Sequence, residues 1–138
     1  MPRFVVQEHH SAHLHWDFRL EFAGVLKSWA IPKGPSMNPA DKRLAVQVED
    51  HDLDYGSFEG IIPEGRYGAG QVIIWDEGRY EPLADLGEGL EEGVISFRLH
   101  GRKLTGEFSL VRLKKGTGKE WLLIKKKEAV EGRLRGYS

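Results

Sequence analysis

The chain has no cysteine among its 138 residues. Disulfide staples, thiolate metal sites and cysteine nucleophiles are thereby excluded together, and any bound metal has only imidazole and carboxylate to hold it. Long apolar runs are missing too, since no stretch approaches the roughly 18 residues that cross a bilayer. The opening MPRFVVQEHH shows neither the basic-then-apolar order of a secretory signal nor the Arg/Ser-rich pattern of a transit peptide. A soluble, cytoplasmic chain without a membrane partner is therefore expected. One sign of charge does not dominate, because 20 Lys+Arg nearly cancel 21 Asp+Glu. That balance excludes a surface that is polycationic throughout but leaves room for a local basic patch.

What is present suits one domain: 40% hydrophobic residues, with four Trp, six Phe and four Tyr, are enough to bury a core. Short apolar segments separated by Gly and Pro recur at the spacing of all-β sandwiches and barrels. Strands are predicted at Phe4–Gln7, Leu14–Phe22, Leu26–Ala30, Leu44–Glu49, Gln71–Trp75, Val94–Leu99, Gly106–Leu113 and Trp121–Lys126. The expected fold is all-β, a single compact β-barrel of about eight strands with short loops and little helix. Residues 1–127 form the domain, and 128–138, poor in apolar residues, form a tail expected to fray. Helix signals are sparse: Ala84–Glu92 is acidic and leucine-bearing but carries Gly87 and Gly89, and Asn38–Asp41 can start one helical turn. A basic run (Lys114, Lys115, Lys119, Lys125, Lys126, Lys127) precedes Arg133 and Arg135. It reads as a solvated strand edge, where Lys discourages pairing with other chains, or as a nucleic-acid surface.

Four of the six histidines fall in HHSAHLHWDFRLEF, from His9 to Phe22. In a strand, His13, His15, Asp17, Arg19 and Glu21 share one face, and Leu14, Trp16, Phe18, Leu20 and Phe22 share the other. The apolar face covers a core. The polar face is unusual for a solvated strand, which favours Thr, Lys, Glu and Ser. Same-face neighbours lie roughly 6–7 Å apart, so His15 and Asp17 can lean toward one ion, and a rigid strand suits such a site. The plain alternative is an exposed strand in which Asp17 and Glu21 neutralise Arg19. Imidazole plus carboxylate without sulfur suits Mn²⁺, Fe²⁺, Zn²⁺ or Ni²⁺ alike.

Two further segments carry candidate groups. A strand with Leu44, Val46 and Val48 runs into an acidic loop bearing His51 and Tyr55. Lys33, Arg43 and Arg66 flank loops and can meet a phosphate, which Arg holds by two parallel hydrogen bonds, though a solvated surface is the ordinary fate of each. The Gly65–Gly70 loop matches neither the P-loop nor the dinucleotide fingerprint. No nucleophile elbow is present, and nothing singles out a carboxylate pair for glycoside chemistry.

Taken together, His9 through Glu21 as H-x5-H-x-D-x-R-L-E, then LKSWAIPKGPS, RLAVQVEDHDLDY, IPEGRYGAGQVIIWD and WLLIKKK, resemble the 3′-phosphoesterase domain of bacterial ligase D polypeptides and of free-standing archaeal and bacterial proteins. The likeness runs from about Phe4 to Lys126. It implies a β-barrel with its site in a crescent groove, and a metal-dependent, preferentially Mn²⁺-dependent enzyme that heals 3′ ends in strand-break repair and non-homologous end joining. Such an enzyme removes a 3′-terminal ribonucleoside from a DNA or DNA/RNA primer end and then hydrolyses the 3′-phosphate to a hydroxyl. By motif position the resemblance assigns His9, His15 and Asp17 to the metal. It puts Arg19 and His51 at the scissile phosphate, adds Arg43, Tyr55 and Lys33 as further groups needed for activity, and adds Gln7 near the site. Larger family members carry a charged segment before the position of Phe4. Only Met1, Pro2 and Arg3 precede it here, so the ribonucleoside-removing step is the one expected to weaken. Ligase, polymerase and end-binding partners are expected as separate chains, and the protein as a monomer.

The ligand set has a geometric consequence. On one straight strand His9 and His15 would stand roughly 20 Å apart, so the chain must bend within His10-Ser11-Ala12. Two rival functions remain: a non-catalytic module binding nucleic-acid ends, and a cupin-like small-molecule enzyme, whose ligand pattern His13-x-His15 resembles. A ligating His9 favours the phosphoesterase, and a ligating His13 the cupin.

Overall fold

Alternation of large apolar side chains along nearly every strand leaves each with one face that must leave water, and closing the sheet on itself buries all these faces together. The computed structural model, described over residues 1–128, shows this arrangement as nine antiparallel strands. They are β1 (Arg3–His10), β2 (Leu14–Phe22), β3 (Val25–Ile31), β4 (Lys42–His51), β5 (Gly60–Ile62), β6 (Gly70–Pro82), β7 (Val94–His100), β8 (Thr105–Arg112) and β9 (Glu120–Lys125). The order is β1-β2-β3-β4-β9-β8-β7-β6-β5, and a β1–β6 pairing closes eight of them into a barrel, with β5 as an extra strand on β6. A 3-10 turn at Leu53–Ser57 and a short helix, α1 (Leu86–Glu92), complete the elements.

Inside lie Phe4, Phe18, Trp29, Phe97, Phe108 and Trp121 with Leu20, Leu99, Leu110 and Leu123, all essentially removed from solvent. Each such burial contributes roughly 1.5–3 kcal/mol. Phe18 stacks on Phe97 with centroids 5.7 Å apart, and Trp121 meets Trp29 edge-on at the same distance. Leu86 of α1 joins this cluster. The helix is the one anticipated over Ala84–Glu92, shortened at its start: Asp85 caps it by accepting from the Glu88 amide at 2.9 Å, and Gly93 ends it in the left-handed region at φ 90°.

Several expectations are corrected. β5 was not anticipated, and β6 runs seven residues past Trp75, because Asp76-Glu77-Gly78 reads as a turn yet continues the strand. Asp76 explains the continuation. Its buried carboxylate accepts from the amides of Arg102, Lys103 and Leu104 at 2.9, 3.1 and 2.8 Å, tying the β7–β8 connection to β6. Asn38–Asp41 is a single hydrogen-bonded turn, not a helical one, closed by the Asp41 amide on the Asn38 carbonyl at 3.0 Å. The strand-edge reading of the basic run fails as well. β9 is paired on both sides, and Lys125 is 7% exposed, held by Glu128 at 2.9 Å. Glu128 is thus tied to the domain, while the rest of the expected tail lies outside the described residues. Among the described residues no helix is long and apolar enough to cross a membrane.

Candidate active site

The hairpin of β1 and β2 decides the geometry. The bend expected at His10-Ser11-Ala12 is a full reversal, so His9 and His15 become direct register partners with ring centroids 4.8 Å apart. Both project from the outer face of the barrel, opposite Phe18 and Leu20, in line with the parity expected for His15, Asp17 and Arg19. That outer face is not solvated, however: Asp17 is 6% exposed and Arg19 2%. The 3-10 turn covers it, because Gly56 lacks a Cβ that would meet Leu26 and Arg3 at 3.3 Å.

One ligand atom each from His9, His15 and Asp17 lies within 4.8 Å of the others, the geometry of a metal site. His9 Nε2 sits 2.6 Å from the Gly68 carbonyl, and His15 Nδ1 2.9 Å from the His13 carbonyl. A carbonyl only accepts, so each of these nitrogens carries the proton. The remaining nitrogens, His9 Nδ1 and His15 Nε2, turn toward Asp17 Oδ2 at 3.5 and 3.2 Å. In the neutral rings these are two lone pairs facing a carboxylate, a set that calls for a cation at its centre. The residues therefore fit a divalent metal. A proton can serve instead, since the hydrogen bond to Asp17 raises the His15 pKa against its partial burial. Burial pushes Asp17 up, but His15, His9 and the Arg19 charge outweigh it and hold its carboxyl below the usual range.

Arg19 is fixed on all sides. Its Nε donates to Gln7 Oε1 at 2.6 Å, its Nη1 to Ser28 Oγ at 2.8 Å, and its Nη2 faces Asp17 at 3.5 Å. Tyr55 lies 4.9 Å from the guanidinium carbon, ring face toward it. Gln7 also donates to the Tyr55 and Phe58 carbonyls at 2.8 and 3.2 Å, so it clamps the 3-10 turn to the arginine. His51 Nδ1 sits 3.1 Å from both Arg19 Nη1 and the Glu49 carbonyl, and these contacts demand opposite tautomers. The arginine contact prevails: guanidinium can only donate and is buried, whereas the exposed Glu49 carbonyl has water available. Nδ1 then accepts and Nε2 carries the proton. Burial, then the Arg19 charge, lowers the His51 pKa and keeps the ring neutral. Burial likewise raises Tyr55, which stays a phenol.

The structure thus brings together His9, His15, Asp17, Arg19, Gln7, His51 and Tyr55. It does not join Lys33 or Arg43 to them: Arg43 Nη1 donates to the Lys33 carbonyl at 3.0 Å and Nη2 faces Asp41 at 3.4 Å. By register the pair lies past the end of β3, on the His15 side of the cluster. Two groups escaped the sequence reading. Ser28 is a small polar residue on the outer face of β3, and its parity with Arg19 was its only signal. Gly68 acts through a carbonyl, which no residue type announces. His13 is exposed and contributes a carbonyl, not its ring, so the metal-capable group contains His9.

Residues 7–112 match the family model described as the DNA Ligase D 3′-phosphoesterase domain. The chain is 58% identical over 127 residues to the multifunctional non-homologous end joining protein LigD of Pseudomonas aeruginosa, covering 91% of this chain and 15% of that protein. It is 46% identical over 119 residues to the multifunctional non-homologous end joining DNA repair protein LigD of Mycobacterium tuberculosis, covering 86% and 15%. Against the Mycolicibacterium smegmatis counterpart it is 44% identical over 142 residues, covering 99% and 18%. The chain thus spans less than a fifth of the length of these relatives.

Proposed function

The chain belongs to the DNA ligase D 3′-phosphoesterase domain family, and on that premise we propose that it is a metal-dependent hydrolase that restores 3′-hydroxyl ends on nucleic-acid strands before joining. The observation that carries this reading is the convergence of His9, His15 and Asp17 beside the buried Arg19. Such a set suits a substrate that brings anionic oxygens to a divalent ion. Mn²⁺ fits the imidazole and carboxylate donors, as do other divalent transition ions. When bound, the ion supplies Lewis-acid stabilisation of phosphoryl oxygens and lowers the pKa of a bound water.

The chain's own groups do the rest. Arg19, held by Gln7, Ser28, His51 and Asp17, keeps one uncommitted N–H, on Nη2, to present to the phosphate with no reorganisation during reaction, which makes such a donor effective. Neutral His51 offers its Nε2–H to a phosphoryl oxygen. It is poorly placed as a general acid, because a second ring proton would point Nδ1–H at the Arg19 guanidinium. Tyr55 packs against His51 with tilted rings, centroids 4.9 Å apart, and keeps water from the guanidinium. Lys33 and Arg43 act at the groove edge, on the substrate rather than on the cluster. In the monoesterase step water attacks phosphorus, the bond to the 3′ oxygen breaks and that oxygen takes a proton. In the ribonucleoside-removing step the bond to the terminal nucleoside's 5′ oxygen breaks instead.

The test is purified protein with Mn²⁺ on primer-templates ending in a ribonucleotide or a 3′-phosphate, wild type beside His9→Ala. Conversion to a 3′-hydroxyl by wild type alone is the expected result. Binding without turnover under every divalent ion would replace the enzyme with an end-binding module.

A further inference from the structure

The outward face of β1 carries Arg3, Val5, Gln7 and His9 at alternate positions, and of these only His9 belongs to the metal-capable group. The other three lie under the 3-10 turn. Val5 is fully buried, and a Cβ on Gly56 would meet Arg3, Leu26 and Val5 at 3.3, 3.3 and 3.5 Å, so the turn rests directly on these side chains. Gln7 holds it through the Tyr55 and Phe58 carbonyls. Arg3 holds the residues between: its Nη2 donates to the Gly56 carbonyl at 2.8 Å and its Nη1 to Ser57 Oγ at 3.1 Å. The family resemblance assigns Gln7 to the site and assigns Arg3 nothing.

Arg3 is itself anchored from both neighbouring strands. Its Nη2 also donates to Glu77 Oε1 of β6 at 2.8 Å, and its backbone amide donates to Glu21 Oε1 of β2 at 2.8 Å. The turn needs such support. It is closed by the Tyr55 amide on the Asp52 carbonyl and the Phe58 amide on the Tyr55 carbonyl, both at 3.0 Å, and a 3-10 segment this short has little stability of its own. Glu49, Asp50, Asp52 and Asp54 crowd like charge onto the same stretch, which works against its packing. Segments of this kind open locally unless their neighbours hold them. What the turn carries is Tyr55, whose ring centre lies 4.9 Å from the Arg19 guanidinium carbon and 4.9 Å from the His51 ring.

We infer that Arg3 is a positioning residue for the phosphate side of the site: its guanidinium clamps the Leu53–Ser57 turn to β1 and β6, so that Tyr55 stays over Arg19 and beside His51. The planar fork is what the geometry uses, because Gly56, Ser57 and Glu77 are met at once from one rigid group, which a single ammonium cannot do. None of the Arg3 contacts is to His9, His15 or Asp17, so the clamp acts on the groups that face the substrate and leaves the metal-capable group alone. The clamp stands on these contacts, and its bearing on turnover rests on the phosphoesterase reading.

The test compares wild type, Arg3→Ala and Arg3→Lys, each assayed well below its melting midpoint so that the folded state prevails. Residue-resolved amide exchange reads the turn, calorimetric titration reads Mn²⁺ affinity, and kinetics on an oligonucleotide ending in a 3′-phosphate read kcat at saturating Mn²⁺. In Arg3→Ala the Tyr55 and Phe58 amides should exchange about tenfold to a hundredfold faster, as expected for loss of a hydrogen bond from a charged donor. Its kcat should fall by about tenfold or more through the displaced Tyr55 and His51. Mn²⁺ affinity should be unchanged, and Arg3→Lys should fall between wild type and Arg3→Ala in both exchange and kcat. Unaltered exchange at Tyr55 and Phe58 would overturn the clamp. Faster exchange with wild-type kcat would overturn the positioning role and leave Arg3 a residue of stability alone. Mn²⁺ affinity falling together with kcat would also overturn it, because Arg3 would then act through the metal-capable group. A wild type that never hydrolyses the 3′-phosphate removes the phosphoesterase reading, whereas faster exchange of the two amides in Arg3→Ala still leaves the clamp standing.

Discussion

His9 and His15 are six positions apart in the chain and directly opposite one another across β1 and β2, with ring centroids 4.8 Å apart. Each ring is held by a backbone carbonyl through its far nitrogen, so both near nitrogens are committed to the space beside Asp17. Calorimetric titration with Mn²⁺ should give one site per chain. His9→Ala should weaken it by more than the roughly 10–100-fold that loss of an outer partner costs. Equal affinity in wild type and variant would place the ion elsewhere.

Arg19→Lys is the sharper probe of the phosphate side. Lysine keeps the charge but cannot reach Gln7, Ser28 and Asp17 at once, as the guanidinium fork does. Loss of one such charged hydrogen bond should lower unfolding free energy by about 1.5–3 kcal/mol in urea titrations. Turnover on a 3′-phosphate should fall by about 100-fold or more at saturating Mn²⁺. A lysine variant with wild-type turnover would leave Arg19 a structural residue only.

Tyr80 makes the alkaline limb of stability predictable. Its hydroxyl donates to the Glu21 carbonyl at 2.6 Å, and burial, then the Glu21 charge, pushes its pKa up to about 12. Because the folded value lies above the unfolded one near 10, the fold favours the neutral phenol. That contribution is complete below pH 10 and is lost as pH rises toward 12. Tyr80→Phe should cost about 1 kcal/mol at neutral pH through the lost hydrogen bond. Its denaturation free energy should then fall less steeply than wild type between pH 10 and 12. Parallel pH profiles for the two proteins would show that Tyr80 is not the group responsible.

The alternation of Leu14–Phe22 was legible because strand periodicity is a local property: it put Asp17 and Arg19 on one face and Phe18 and Leu20 on the other before any partner strand was known. The requirement that the chain bend after His10 followed from distance once the family resemblance had assigned His9 and His15 to one ion. The second half of β6 was not legible, since Asp76-Glu77-Gly78 is turn chemistry until Asp76 finds three amides some 26 residues away. Ser28 and Gly68 were hidden for the same reason, one acting through a hydroxyl on the strand next to β2 and the other through a backbone carbonyl.

By itself, then, the sequence determined the residue types, the strand parity and the absence of sulfur, all of which are written in single residues and their spacing. Tertiary structure alone decided that Asp17 and Arg19 on the polar face are buried, that Arg19 is clamped by Gln7 and Ser28, and that Lys33 and Arg43 stand apart from the cluster. Burial and register depend on which strands meet when the barrel closes, and that pairing joins segments far apart in the chain.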